Sequence, residues 1–307
     1  MGISQYIKEI GRGPRGSKPL TREQAADLFG QLLDGNVTDL EIGAFCLAMR
    51  IKGETPEEMC GFLDAAHSRM ALFPASDRPV IVLPSYNGAR KLPVLTPLLA
   101  LLLAREGLPV LLHGMRTEAR RTLASDVLLA LGVPALTAPE KIATGSVAHI
   151  ETGYLHAALA RLLKVREVVG LRNAGHSIVK LMNPCAGPAV VVTSYTHPEY
   201  YDMLQATFGA LHMTALLSRG LEGEVATDPR RTPRYDAFVA GVHQLLQEQQ
   251  PGTAADVPGL PTEIDIDTTA RYTQDVLDGR LPVPPALAQQ VEHILHLAEQ
   301  TTKETLP

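Results

Sequence analysis

The sequence has no tryptophan, only 5% aromatic residues and three cysteines among 307 positions. Cys46, Cys60 and Cys185 lie far apart and form no C-x-x-C, which argues against both a disulfide framework and a zinc ribbon. Long apolar runs are missing too. The longest, Leu98–Ala104, has seven residues, well short of the roughly 18 that cross a bilayer. The opening stretch MGISQYIKEIGRG lacks the apolar core of a secretory signal. These absences lead to the expectation of a soluble cytoplasmic protein with no membrane partner. What is present is ordinary: 45% hydrophobic and 20% charged residues, a balance that excludes collagen and disorder. The length suggests about two domains. Such a chain buries roughly three quarters of its unfolded surface without a covalent staple.

The net charge of −5 argues against a nucleic-acid binder when taken whole, but the charge is unevenly spread. Residues 81–180 carry twelve Lys or Arg against six Asp or Glu, a net of +6; the remainder, with 16 basic and 27 acidic residues, nets −11. Such asymmetry hints at an anionic partner, although chance clustering on solvated helix faces would look the same.

The first 70 residues read as three helices. Thr21-Arg-Glu-Gln24 is a capping box, Thr38-Asp-Leu-Glu41 caps the second helix, and Thr55-Pro-Glu-Glu58 starts the third with proline at its first position, each followed by apolar residues at helical spacing. Ala25, Leu28, Phe29, Leu32 and Leu33 face one way in the first helix, Ile42, Phe45, Cys46 and Met49 in the second, and Met59, Phe62, Leu63 and Ala66 in the third. From Pro79 the pattern changes to alternation. Strands are expected at 80–83, 110–112, 189–193 and 214–217, and helices at 94–104, 122–131, 154–168, 198–211 and 285–300. Strand–helix alternation means a parallel or mixed α/β sheet.

At this point a resemblance emerges. Residues 20–62, LTREQAADLFGQLLDGNVTDLEIGAFCLAMRIKGETPEEMCGF, closely resemble the N-terminal helical domain of anthranilate phosphoribosyltransferase, of the nucleoside phosphorylase/phosphoribosyltransferase class (glycosyl transferase family 3). The similarity runs on to about residue 230, through Gly107–Arg116, Ser125–Gly132, Arg166–Arg172 and Asn183-Pro184. It implies an α/β fold in which a small helical dimerisation domain (1–74 plus about 151–184) joins a larger α/β domain (75–150 plus 185–307) with a central mixed or parallel sheet. It also implies homodimers formed through the helical part.

The family's chemistry transfers less well. The resemblance implies that a glycine-rich G-T-G-G-D turn after the first strand cradles phosphoribosyl pyrophosphate, because backbone N–H groups must approach the anion closely. In this chain that turn falls on Pro84-Ser85-Tyr86-Asn87-Gly88. The family's N-x-S-T phosphate contacts fall on Val94-Leu95-Thr96-Pro97, its lysine on Leu112, and its anthranilate-contacting Asn on Met115. The Asp-Glu pair that holds magnesium falls near Glu222-Gly223-Glu224, a weak candidate for residual metal binding. His113, Gly114, Arg116, Asp126, His156 and Arg166 survive, and Gly88, His113, Gly114 and His156 form the residual family pocket. This divergence looks like the YbiB-type branch of the family, which implies dimers that lack the transferase activity and bind nucleic acid without sequence preference.

The local charge supports that expectation independently. Arg90, Lys91, Arg116, Arg120 and Arg121 stand where the enzyme has small residues for pyrophosphate. Arg161 and Lys164, three apart, share a helix face, and Arg166, Arg172 and Lys180 follow. In the family's fold these segments meet at the interdomain cleft, where a cationic strip suits the phosphates of DNA or RNA. Tyr86 and Tyr154 are the only aromatics in 81–180, so little base stacking and little sequence readout are expected. No cofactor is expected, and magnesium only if phosphoribosyl pyrophosphate binding survives. The alternatives are a transferase acting on a phosphorylated sugar and an aromatic or nitrogenous acceptor, and a protein-interaction dimer. The serines sit in no G-x-S-x-G. His293 and His296 beside Glu292 fit an exposed polar helix face better than a metal site, and Asn173-Ala-Gly-His176 reads as a polar turn near the cleft.

Overall fold

Threonine side chains start the N-terminal helices. The computed structural model describes residues 2–305 apart from Pro14 and Ala255. A short helix, α1 (Ser4–Ile10), precedes the three expected ones, α2 (Arg22–Leu33), α3 (Asp39–Lys52) and α4 (Pro56–His67). It has no side-chain cap, so no sequence signal marks its start. Thr21, Thr38 and Thr55 each accept from the N–H three residues on, and Gln24, Glu41 and Glu58 accept in return from the threonine N–H. Each box satisfies two donors that helix geometry leaves orphaned. The apolar faces then meet, with the rings of Phe29, Phe45 and Phe62 between 5.0 and 6.1 Å apart.

The second part alternates as expected: β1 (Val80–Pro84), α5 (Thr96–Arg105), β2 (Val110–Gly114), α6 (Ala124–Ala130), β3 (Ala135–Leu136), β4 (Val147–Glu151), α7 (Thr152–Leu155), α8 (Ala157–Val169), α9 (Gly175–Leu181), β5 (Ala189–Tyr195), α10 (Glu199–Ala210), β6 (Ala215–Arg219), β7 (Tyr235–Val239), β8 (Val242–Gln247), α11 (Ile266–Leu277) and α12 (Pro285–Thr305). The strands form one sheet in the order β3-β4-β2-β1-β5-β6-β7-β8. The first six are parallel to their neighbours, and β7 and β8 add an antiparallel edge.

Strand side chains alternate between faces, and here both faces are covered. Ile81, Leu83, Val110, Val190 and Leu216 pack with α5 and α12, whereas Val80, Val82, Leu111, Val191 and Leu217 join the core of the N-terminal helices. Helices α7 to α9 return the chain to those helices. Ala71 N–H donates to Leu155 O, and Asn183 N–H to His67 Nε2. Neighbours of β1 are reached by connections running in opposite directions, towards β2 on one side and β5 on the other. The gap between the carboxyl ends of β1 and β5 is therefore the switch point where open α/β sheets hold ligands.

Several expectations need correction. The single helix expected over 154–168 is broken at His156, whose extended backbone (φ −156°, ψ 89°) lets Nδ1 accept from Leu159 N–H and cap α8. Strands β3, β4, β7 and β8 and helices α9 and α11 are not among the expected elements, although α11 is amphipathic and is capped by Asp265, whose side chain accepts from Thr268 N–H. The β8 side chains are mostly exposed, and α11 is rich in threonine, with Thr269 and Thr273 bonding back to carbonyls four residues earlier. Glu222 and Glu224 lie on a turn, with φ 53° at Glu222 and 87° at Gly223.

Candidate anion-binding cleft

The turn after β1 begins where parallel pairing ends, with Ser85 N–H donating to His113 O. Gly114, the residue after His113, allows this close approach, since a Cβ there would sit 1.7 Å from Ser85 O. The turn is fully buried and its donors converge on one carboxylate. Asn87 N–H and Gly88 N–H each lie 2.8 Å from Glu224 Oε1, while Ser85 Oγ and Thr96 Oγ1 reach Oε2 at 2.5 and 3.1 Å. Asn87 Nδ2 adds a bond to Gly223 O. Beside it, Glu222 accepts from the N–H groups of Arg90 and Lys91 at 2.6 and 2.9 Å. Gly220 makes the return possible, because any Cβ there would meet Glu224 O at 1.9 Å. Glu224, 3% exposed, thus acts as an internal anion in the turn that the family resemblance assigns to pyrophosphate.

A carboxylate offers about four acceptor sites, and Glu224 has four donors on it. Magnesium therefore does not fit this pair as it stands, and no group of three His, Cys, Asp or Glu among the described residues is placed to hold a metal. The residual metal reading of Glu222 and Glu224 is corrected accordingly. The residual family pocket does not assemble either. His113 is fully buried on β2 with both ring nitrogens unpaired. Its imidazole is pushed down to about 3 by burial. His156 serves as a helix cap, and Gly88 is in the Glu224 turn.

The ten expected cations separate into three groups. Arg116 pairs with Asp126 and donates to Arg121 O, Arg161 reaches towards Leu32 O, and Lys180 is turned inward to Ser194 O at 3.0 Å. Arg90, Lys91, Arg120 and Lys164 are exposed, and among the described residues their side chains make no ion pair or hydrogen bond. Arg121, Arg166 and Arg172 gather around one acid, Glu118. Arg166 donates to its carboxylate and Arg121 lies 3.5 Å from it, while Arg172 donates to Asn87 Oδ1 and lies 5.7 Å over the Tyr86 ring. Burial opposes Glu118's charge, but the Arg166 hydrogen bond and the three guanidiniums outweigh it and hold the carboxyl below its usual value. Arg172 is lowered by burial and then by the neighbouring charges of Arg166 and Arg121. One carboxylate therefore does not balance this cluster.

Next to Arg172, at the switch point between β1 and β5, lies a cavity of about 380 Å³. His176 and Lys180 of α9 line it, together with Tyr195 and Tyr200. The sequence pointed to the polar turn at 173–176 but missed Tyr195 and Tyr200, which lie outside the basic third.

Comparison with known proteins places this architecture. The helical bundle domain of the glycosyl transferase family matches residues 4–70. The anthranilate phosphoribosyltransferase of Persephonella marina is 28% identical over 91% of this chain and 83% of its own length. Escherichia coli YbiB, described as an uncharacterized protein, is 37% identical, covering 95% of this chain and 92% of its own. The chain belongs to the YbiB-containing, anthranilate phosphoribosyltransferase-like family. Among solved structures, the Thermus thermophilus anthranilate phosphoribosyltransferase superposes with a TM-score of 0.73 at 21% identity, covering 99% of this chain and 89% of its own. The Saccharomyces cerevisiae enzyme, in complex with phosphoribosyl pyrophosphate and magnesium, gives 0.71 at 13% identity, covering 97% and 89%. At these identities the likeness is one of fold. Within this family, Glu224 and the Arg121–Arg166–Arg172 cluster mark where this member's cleft must be read from its own residues.

Proposed function

We propose that this protein binds the phosphate backbone of nucleic acid along the cleft, as a homodimer, and does not carry out the phosphoribosyl transfer of its enzymatic relatives. The observation that carries the reading is the crowding of Arg121, Arg166 and Arg172 around the single carboxylate of Glu118. Partly buried like charges repel, and a phosphate laid among them relieves that repulsion while forming bidentate guanidinium contacts. The exposed Arg90, Lys91 and Arg120 extend the positive surface beside it. The saturated Glu224 argues against the transferase alternative, since the N–H groups that would hold pyrophosphate are already bonded.

Fluorescence anisotropy of a labelled oligonucleotide tests the reading. Affinity should fall linearly with salt on a log–log plot, because each neutralised phosphate releases counterions. Arg120→Glu combined with Arg121→Glu should weaken binding by about 1 kcal/mol or more and flatten the salt slope. Unchanged affinity in this double variant would remove the cleft from consideration. Tight, magnesium-dependent binding of phosphoribosyl pyrophosphate in a calorimeter would favour the transferase instead.

The dimer rests on α3. Leu40, Leu47 and Ile51 are 84%, 47% and 57% exposed, and with Ala44 they recur at the alternating four- and three-residue spacing of a coiled-coil seam. Gly43 lies on the same side, and among the described residues outside its own helix turn nothing lies within 4 Å of where its Cβ would be. A mid-helix glycine costs about 1 kcal/mol, and here no contact within the chain offsets it. An antiparallel copy would set Leu40 against the partner's Ile51 and Ala44 against the partner's Leu47. Leu47→Glu should therefore yield monomers in sedimentation velocity. Dimers that persist in this variant would place the interface elsewhere.

A further inference from the structure

A second cavity, of about 550 Å³, opens beside the Glu222–Glu224 turn. Parallel strands bring their last residues to one edge of the sheet. Arg219 ends β6 and pairs in register with Tyr195, which ends β5. Tyr195 lines the cavity at the switch point and Arg219 lines the second one, so the two are neighbours along the carboxyl edge. Lys91 lines the second cavity as well, which joins it to the exposed positive surface at Arg90 and Lys91. The volume falls within the range of small-ligand sites, roughly 300–1,000 Å³.

The charges lining this cavity do not balance. Lys91, Arg219 and Arg231 bring three cations against the carboxylates of Glu222 and Asp228. Both carboxylates are engaged by other donors. Glu222 accepts from the N–H groups of Arg90 and Lys91. Asp228 accepts three bonds from Arg230, one from its N–H and two from its guanidinium. Burial opposes the charge of Asp228, but these bonds keep its carboxyl below the usual value. Arg231 is left 3.7 Å from it. Lys91, Arg219 and Arg231 are exposed, and among the described residues the side chains of Lys91 and Arg219 make no hydrogen bond or ion pair. Two guanidiniums and an ammonium at one concave place suit an oxyanion with several acceptor oxygens, which guanidinium grips in pairs.

We infer that this cavity is a second phosphate site, in which Arg219, Arg231 and Lys91 hold one phosphate group, and that the nucleic acid proposed for the cleft supplies it as the backbone passes along the carboxyl edge of the sheet. The source of the phosphate rests on the phosphate-backbone reading; the site itself does not. Contacts of this kind fix position and read no sequence, so a single strand and a duplex should use them alike. A free phosphate ester brings the same group, and the experiment separates the two sources.

The experiment compares the wild-type protein with Arg219→Gln combined with Arg231→Gln, first checked for an unchanged thermal midpoint. Anisotropy of a labelled oligonucleotide, as single strand and as duplex, is read at several salt concentrations, and calorimetry follows adenosine monophosphate as a free phosphate ester. The glutamine variant should bind both oligonucleotides about tenfold more weakly, with a salt slope shallower by about one. Arg219→Lys combined with Arg231→Lys should restore the slope but only part of the affinity, because lysine keeps the charge and loses the planar fork. Unchanged affinity and slope in the glutamine variant, while Arg120→Glu combined with Arg121→Glu still weakens binding, would overturn this inference and leave the cleft reading standing. Monophosphate binding that the glutamine variant loses, with oligonucleotide affinity unchanged, would keep the phosphate site and overturn its assignment to nucleic acid. Absence of salt-dependent binding to either oligonucleotide would overturn the cleft reading and that assignment together.

Discussion

Unfolding free energy should fall by about 4 kcal/mol between pH 7 and pH 5, chiefly because of two buried histidines. His113 and His176 are both held near 3, His113 by burial and His176 by burial followed by the charges of Arg172 and Arg166. Their unfolded value is 6.5. A depressed folded pKa gives stability that is fully present above the unfolded value and is lost as pH falls towards the folded one. Each group well inside that window contributes a slope of about 1.4 kcal/mol per pH unit, so the two together approach twice that. Carboxylates held low by partners, such as Asp228 and Asp236, lose their contribution in a separate, more acidic range below the usual carboxyl value. Urea unfolding at pH 7, 6 and 5 reads this directly, and a flat midpoint across that range would show that water reaches both rings. His113→Leu should remove roughly half of the slope, since both of its ring nitrogens already lack partners.

The second large effect is expected at Glu224. Its removal strands two backbone N–H groups and two hydroxyls inside the protein, each worth about 1–3 kcal/mol when unsatisfied. Glu224→Ala should therefore cost about 4 kcal/mol or more, a size that breaking a buried network reaches. Glu224→Gln should recover most of this. The amide oxygen keeps the two backbone N–H groups, and its NH2 donates to the Ser85 and Thr96 hydroxyls, which accept as well as donate. Equilibrium denaturation at neutral pH measures both variants. A loss under about 1 kcal/mol for the alanine variant would mean that water replaces the carboxylate and that the turn is not held by an internal anion.

Glu224 also shows what a linear reading can and cannot reach. Glu222-Gly-Glu224 was recognisable as a pair of nearby acids, and the Ser85–Gly88 turn as a departure from a glycine-rich phosphate turn. Nothing in either segment indicated that one fills the other, because the bonds join residues 136 to 139 positions apart. The same holds for the arginines. The excess of positive charge in 81–180 was countable, but whether a guanidinium meets Asp126, Glu118 or solvent depends on where loops lie after folding. Tyr195 and Tyr200, which line the cavity, arrive from outside the basic third, at the far end of β5 and the start of α10.

By itself the sequence determined what local physics controls. Three threonine caps and their apolar stripes specified α2 to α4, and the β-branched runs at 80–83 and 189–193 specified the central strands. Caps and periodicity act within a few residues, so one sequence suffices to read them. The tertiary structure alone decided the break at His156, the antiparallel edge of β7 and β8, the Glu224 turn, the unbalanced arginine cluster and the cavity beside it. The Glu224 turn, the arginine cluster and the cavity depend on groups distant in the chain meeting in a low-dielectric interior, where an unpaired charge or donor is costly. That cost couples residue 224 to the turn at 85–88, and Arg172 to Tyr86, and no pattern within either segment encodes it.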